Sequence, residues 1–250
     1  MIKILTALLT VCLSLNVYAE EVQYDDLEAQ ADIEVLIENM EKSVADWSVD
    51  DVDRFCSHSF NFNTKDEKGN TVLYYALSRN LDKEVIQKII KCGADVNMMT
   101  KSGLLPINIT TSKANEIQLQ IFMFQTMGLN LDDPKVKEKI EKDVFRQMSY
   151  VTELAAILID NGADVNKESI LGTPLMNAST NRWNMEIINL LIKYGADVNK
   201  QDKDGKTALF YAHSSGNDDI VTALIKAGAN TEIKDKQGRT YVEVERINIK

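Results

Sequence analysis

The sequence predicts an all-α repeat fold, each period of 33 residues holding two short helices and a turn. Three observations predict it. A five-residue pattern recurs at a fixed period, an apolar helical stripe runs ahead of each copy, and a glycine-bearing turn opens a second short helix in each period.

The pattern reads Gly162-Ala163-Asp164-Val165-Asn166, Gly195-Ala196-Asp197-Val198-Asn199 and Gly228-Ala229-Asn230-Thr231-Glu232, with glycines 33 residues apart. Gly93-Ala94-Asp95-Val96-Asn97 lies 69 residues before Gly162, close to two periods. Midway, Gly128-Leu129-Asn130-Leu131-Asp132 keeps the alternation, and Ser59-Phe60-Asn61-Phe62-Asn63 has Ser in the Gly slot. The stripes ahead are Leu154, Leu158 and Ile159, then Ile187, Ile188, Leu191 and Ile192, then Ile220, Val221, Leu224 and Ile225. Such i, i+4 spacing marks one buried helix face. The glycine that follows caps the helix in the left-handed region, where a Cβ costs about 1–2 kcal/mol.

The turn signature is clearest from Asp202 to Ala212, with Gly205 and Thr207. It recurs from Asp66 to Ala76, at Gly103-Leu104-Leu105-Pro106, at Thr173-Pro174-Leu175, and as a partial copy from Asp235 to Thr240. Gly172 falls one residue off this template, so a side chain is expected to be better tolerated there than at Gly195.

These motifs resemble the ankyrin repeat, a turn plus two antiparallel helices of about 33 residues. The resemblance covers roughly residues 49 to 244 and implies an ankyrin-repeat α-solenoid with hairpin fingers along one edge, in which each unit contacts only its neighbours. On that template the chain divides into a signal peptide (1–19) and an N-terminal helical cap with a degenerate first repeat (20–63). Repeats follow at 64–99, 100–132 (weak), 133–166 (a helix replacing the finger), 167–199 and 200–232, with a partial capping repeat at 233–250. Ile33, Leu36, Ile37 and Met40 give the cap its first helix. In the divergent unit Pro134 can start a helix, and Val136, Ile140, Val144 and Met148 form a stripe among Lys135, Lys137, Glu138, Lys139, Glu141 and Lys142.

Met1-Ile2-Lys3, the apolar run Ile4 to Leu15 and Val17-Tyr18-Ala19 have the layout of a secretory signal cleaved after Ala19. The run is short for a membrane span, which takes about 20 apolar residues. The chain is therefore expected to be exported, periplasmic or secreted, with no membrane insertion after cleavage. Cleavage removes Lys3 and takes the net charge from −10 to −11. Such an acidic chain is a poor partner for nucleic acid or anionic lipid. Cys56 and Cys92 remain, too few for a disulfide framework. Cys56 occupies an apolar slot and reads as a buried thiol, and the two cysteines, offset by two residues in register, argue against a bridge.

The residues offer little chemistry. His58 and His213 are too far apart in a solenoid to share a metal or a nucleophile, and His213 beside Ser214 reads as packing. The Asp-x-Asn ends lack the ligand order of a calcium loop and already have a turn role. No cofactor, metal site or catalytic residue is predicted. An enzyme would need a second domain, and a sugar site would need aromatic platforms, for which Trp183 alone looks exposed.

The resemblance implies a non-enzymatic protein–protein interaction module, binding through finger tips and the concave face of the first helices. The matching positions are Glu67, Lys68, Asn70, Lys101, Ser102, Lys203, Asp204, Lys206, Lys236, Gln237 and Arg239. Their lysines point to a partner protein with an acidic patch, bound by a monomer. The alternative within this class is a secreted effector acting on a host protein.

Overall fold

The structure, a computed structural model, describes residues 44–126, 130 and 133–244. The expected leader (1–19), the stripe Ile33 to Met40 expected to form the cap, and Gly128 lie outside the described residues. The helices are α1 (Val49–Ser57), α2 (Val72–Ser78), α3 (Lys83–Lys91), α4 (Pro106–Thr126), α5 (Pro134–Asp160), α6 (Pro174–Ala178), α7 (Met185–Lys193), α8 (Ala208–Ser214) and α9 (Asp218–Lys226). They pair as α2/α3, α4/α5, α6/α7 and α8/α9, giving layers two to five, with α1 in layer one. A short 3-10 turn, Tyr241–Glu243, packs on α8 as the start of layer six. Among the described residues the fingers hold no strand and are built of hydrogen-bonded turns, with one isolated bridge between Ser169 and Gly172.

Side chains cap the starts of α1, α2 and α6 locally. Thr71 caps α2 by accepting from Tyr74 N at 3.2 Å, and Thr173 caps α6 from Met176 N at 3.3 Å. Pro174 follows at the first position of α6, where its missing N–H has no helical partner to lose. Ser48 and Asp51 close a reciprocal capping box on α1. At the other end, Gly195 takes φ +85°, and Ser59 holds φ +59° in the same slot of layer one. The core is the continuous seam between layers. Ile187, Ile188 and Leu191 of α7 are fully buried, each contributing about 1.5–3 kcal/mol by its removal from water. At the N-terminal end Trp47 stacks on Phe55 at 5.0 Å, and Phe60 and Phe62 continue the aromatic cluster.

The five-residue pattern is a ladder joining the layers. Asn166 Nδ2 donates to Gly195 O at 3.0 Å, while its Oδ1 accepts from Asp197 N at 2.7 Å. Asn63 makes the same pair of bonds to Gly93 and Asp95, and Asn199 makes them to Gly228 and Asn230. Each Asp in turn accepts from the Asn two residues on, as Asp197 Oδ1 does from Asn199 N at 2.9 Å. These side chains are thus spent on the backbone.

The ladder corrects the division at 100–132 and 133–166. Asn97 bonds directly to Gly162 O at 2.8 Å and to Asp164 N at 2.8 Å. Among the described residues no finger intervenes in the ladder, so α4 and α5 belong to a single layer. Its first helix, α4, has 21 residues where α2 and α8 have 7, and its second, α5, has 27 where α3 and α9 have 9. The stripe Val136, Ile140, Val144, Met148 is real, but it belongs to the outer half of α5. Burial deepens along it, half-buried at Val136 and Ile140 and buried at Val144 and Met148.

Two further expectations are overturned. Cys56 and Cys92 form a disulfide, with Cα atoms 5.8 Å apart, joining the end of α1 to the C-cap of α3. In-register residues of stacked layers point the same way and cannot face each other, so an offset is what a bridge requires. Gly172 is on the template: it takes φ +77° as the fourth residue of its turn, as Gly205 does at +78°. A Cβ there would lie 2.8 Å from Met176 Sδ, whereas one on Gly195 would meet nothing within 4 Å.

Candidate partner-binding surface

Five four-residue turns form the finger row. Each closes with a bond from the glycine N–H to the first residue, as in Gly69 N to Asp66 O at 2.9 Å and Gly172 N to Ser169 O at 3.1 Å. The first residue braces the turn with its side chain. Asp202 Oδ1 accepts from Asp204 N and Lys206 N, and Ser169 Oγ accepts from Leu171 N at 3.0 Å. Tips of neighbouring layers are then linked through backbone. Lys101 N donates to Gly69 O, Ile170 N to Gly103 O, and Lys236 N to Asp204 O. The row is therefore a pre-formed scaffold whose second and third turn residues face solvent.

The second oxygen of each Asp is also engaged. Tyr75 and Tyr211 hydroxyls donate to Asp66 and Asp202 Oδ2 at 2.7 and 2.5 Å. Burial, followed by the bond to Asp202, pushes the Tyr211 hydroxyl well up, so it remains a donor. In the last finger the Arg239 guanidinium takes this part, 2.8 Å from Asp235 Oδ2, and holds that carboxyl below its usual range.

The sequence-derived residues consequently separate into two groups. Glu67, Lys68, Lys101, Ser102, Lys203, Asp204, Lys236 and Gln237 are the exposed tips. Asn70, Lys206 and Arg239 follow the glycine and are half-buried. Asn70 Nδ2 donates to Tyr75 at 3.0 Å and Arg239 is tied to Asp235, so both brace their own turns.

The sequence reading missed the middle tip, Ile170 and Leu171, which are 68% and 39% exposed. Treating Gly172 as off-template hid them, yet they stand in the same two positions as Lys203 and Asp204. Layer four lacks the residue that follows the glycine elsewhere, and its turn closes on Gly172 O directly. The long layer adds a second apolar pair on α4. Leu119 and Met123 are 59% and 52% exposed, one turn apart. Ile117 is buried in the core, and Leu119 lies about 200° round the helix from it. The pair therefore faces away from the core.

Elsewhere, Trp183 is half-buried with the Arg182 guanidinium 4.8 Å above its ring, which removes it as an open platform. His213 meets the Tyr241 ring edge-on at 5.4 Å. Among the described residues no helix is long and apolar enough to cross a membrane.

Comparison with known proteins agrees with this geometry. Residues 147–235 match the ankyrin-repeat family as three copies, and residues 68–101 match it as one. The two matches flank the overhanging half of layer three. A protein of Fowlpox virus (strain NVSL), named an ankyrin repeat protein, is 29% identical over 121 residues, which is 48% of this chain. The chain spans 28% of that relative's length. Ankyrin repeats generally mediate protein–protein interaction, typically without catalysis. The period, the stacked layers and the family matches agree: the chain carries ankyrin repeats at residues 68–101 and 147–235.

Proposed function

We propose that the chain is an exported binding module that grips a partner protein with its finger row. The observation carrying this reading is the apolar middle tip, Ile170 and Leu171, standing exposed among the lysine-bearing tips at 101, 203 and 236. A central apolar anchor with a charged rim is the usual anatomy of an interface hot spot. The rim favours a partner whose apolar contact is ringed by carboxylates. Export is supported by the leader pattern and by the disulfide, since such bonds persist in oxidising compartments.

The test is capture of partners from a periplasmic extract, and from culture medium, with the purified chain beginning at Glu20. An Ile170→Ser/Leu171→Ser variant should lose the captured protein while melting as the parent does. A partner retained by that variant, and by Lys101→Ala/Lys203→Ala, places binding off the fingers. Intact mass of the protein from cells tests export, with a chain that keeps residues 1–19 as the contrary result.

A further inference from the structure

We infer that the cleft between the start of α3 and the overhanging half of α5 docks a basic, amphipathic segment of a partner protein. This site is separate from the finger row and does not rest on it. The cleft has a volume of about 1090 Å³ and collects the carboxylates of Asp82, Glu84, Glu138, Glu141 and Glu153 around Phe145. Phe145 is 77% exposed, the most exposed of the large apolar side chains among the described residues.

The cations lining the cleft are already occupied. Lys83 pairs with Glu153 at 3.1 Å, Lys142 with Glu138 at 2.7 Å, and Arg146 with Asp143 at 3.5 Å. Asp82, Glu84 and Glu141 have no ion pair among the described residues. An apolar ring beside three uncompensated carboxylates is complementary to a segment carrying Lys or Arg around one apolar side chain. The walls are fixed: Tyr150 donates to Leu81 O, and the Lys83–Glu153 pair joins layer two to α5. The segment therefore meets a preorganised surface, which lowers the cost of ordering on binding. An acidic segment would face like charge there.

The probe is a short labelled peptide of Lys and Leu at amphipathic helical spacing, titrated against the whole chain, with a Glu/Leu peptide as its counterpart. Phe145→Ser and Glu141→Lys should each weaken the Lys/Leu peptide about tenfold, as loss of one central contact does. Glu232→Lys removes an exposed carboxylate elsewhere and should change binding less than about twofold, since a distant exposed charge is screened. Both cleft positions are exposed, so melting should stay at the parent value in every variant. Four results overturn the inference: no binding, equal binding of the Glu/Leu peptide, equal weakening by Glu232→Lys, or self-association of the chain that Phe145→Ser abolishes. The last would make the occupant a second copy.

Discussion

Layers three and five share one ladder and one turn, yet one is more than twice the other's size. In layer five, α9 has 9 residues like α7 before it. The seam is mainly apolar, with Leu209, Ala212, Ile220 and Leu224 at 0–1% exposure beside a buried polar bond, Asn217 Nδ2 to Ser179 O at 3.0 Å. In layer three, α4 and α5 run on past their neighbours. The face that α4 turns to layer four is polar: Asn177 Nδ2 donates to Thr111 Oγ1 at 2.6 Å, and Asn181 Nδ2 to Asn115 and Gln118 at 2.9 and 2.8 Å. The difference shows where a repeat is constrained. Stacking fixes the finger, the ladder Asn and the inner turns of each helix. Beyond these, helix length is free, because added turns project past the neighbouring layers and disturb no ladder bond. The freed turns carry Leu119, Met123 and Phe145 on their surface.

Substitution along α5 should reproduce this gradient. Leu158 lies in the stacked half with no exposure, so Leu158→Ala should cost about 2–5 kcal/mol in urea unfolding. Ile140→Ala, in the half-buried outer turns, should cost under about 1 kcal/mol, because little apolar surface leaves water there. Equal costs would mean that the overhang is as much core as the stack.

A smaller effect separates two glycines. Gly195→Ala adds only left-handed strain, about 1–2 kcal/mol. Gly172→Ala adds the same strain plus the contact with Met176, and should lower the melting temperature further. The order expected from sequence was the reverse.

The smallest effect concerns the root of the overhang. Burial, then the charges of Asp82 and Glu153, push Tyr150 up to about 12 from 10.0. Its folded value is raised, so its contribution is complete below pH 10.0 and is lost as pH rises through about 12. Stability should therefore fall across that alkaline window, and the fall should be shallower in Tyr150→Phe. An unchanged slope would mean that Tyr150 does not anchor α5 to layer two.

Much of this was legible in the sequence, for a physical reason. A left-handed cap and a capped helix start each demand particular residue types, so Gly93, Gly195, Thr71 and Thr173 stand out, and Ser59 could be placed in the Gly slot with φ +59°. What was hidden depends on partners distant along the chain. Gly128-Leu129-Asn130 repeats the alternation in sequence, and only the bonds of Asn97 reveal that the ladder runs directly from Asn97 to Gly162 and Asp164. The deletion after Gly172 shifted one slot by one residue and concealed the exposed apolar tip. The Cys56–Cys92 bridge looked out of register because register describes equivalent positions, whereas bonding requires facing ones.

The single-layer account of α4 and α5 rests on Asn97, and amide hydrogen exchange at Asp164 tests it most directly. Asp164 N donates to Asn97 Oδ1 at 2.8 Å, just as Asp197 N donates to Asn166 at 2.7 Å. Asn97→Ala should accelerate exchange at Asp164, and Asn166→Ala should do the same at Asp197. Acceleration at Asp197 alone, with Asp164 untouched by Asn97→Ala, would mean that another layer stands between the two fingers.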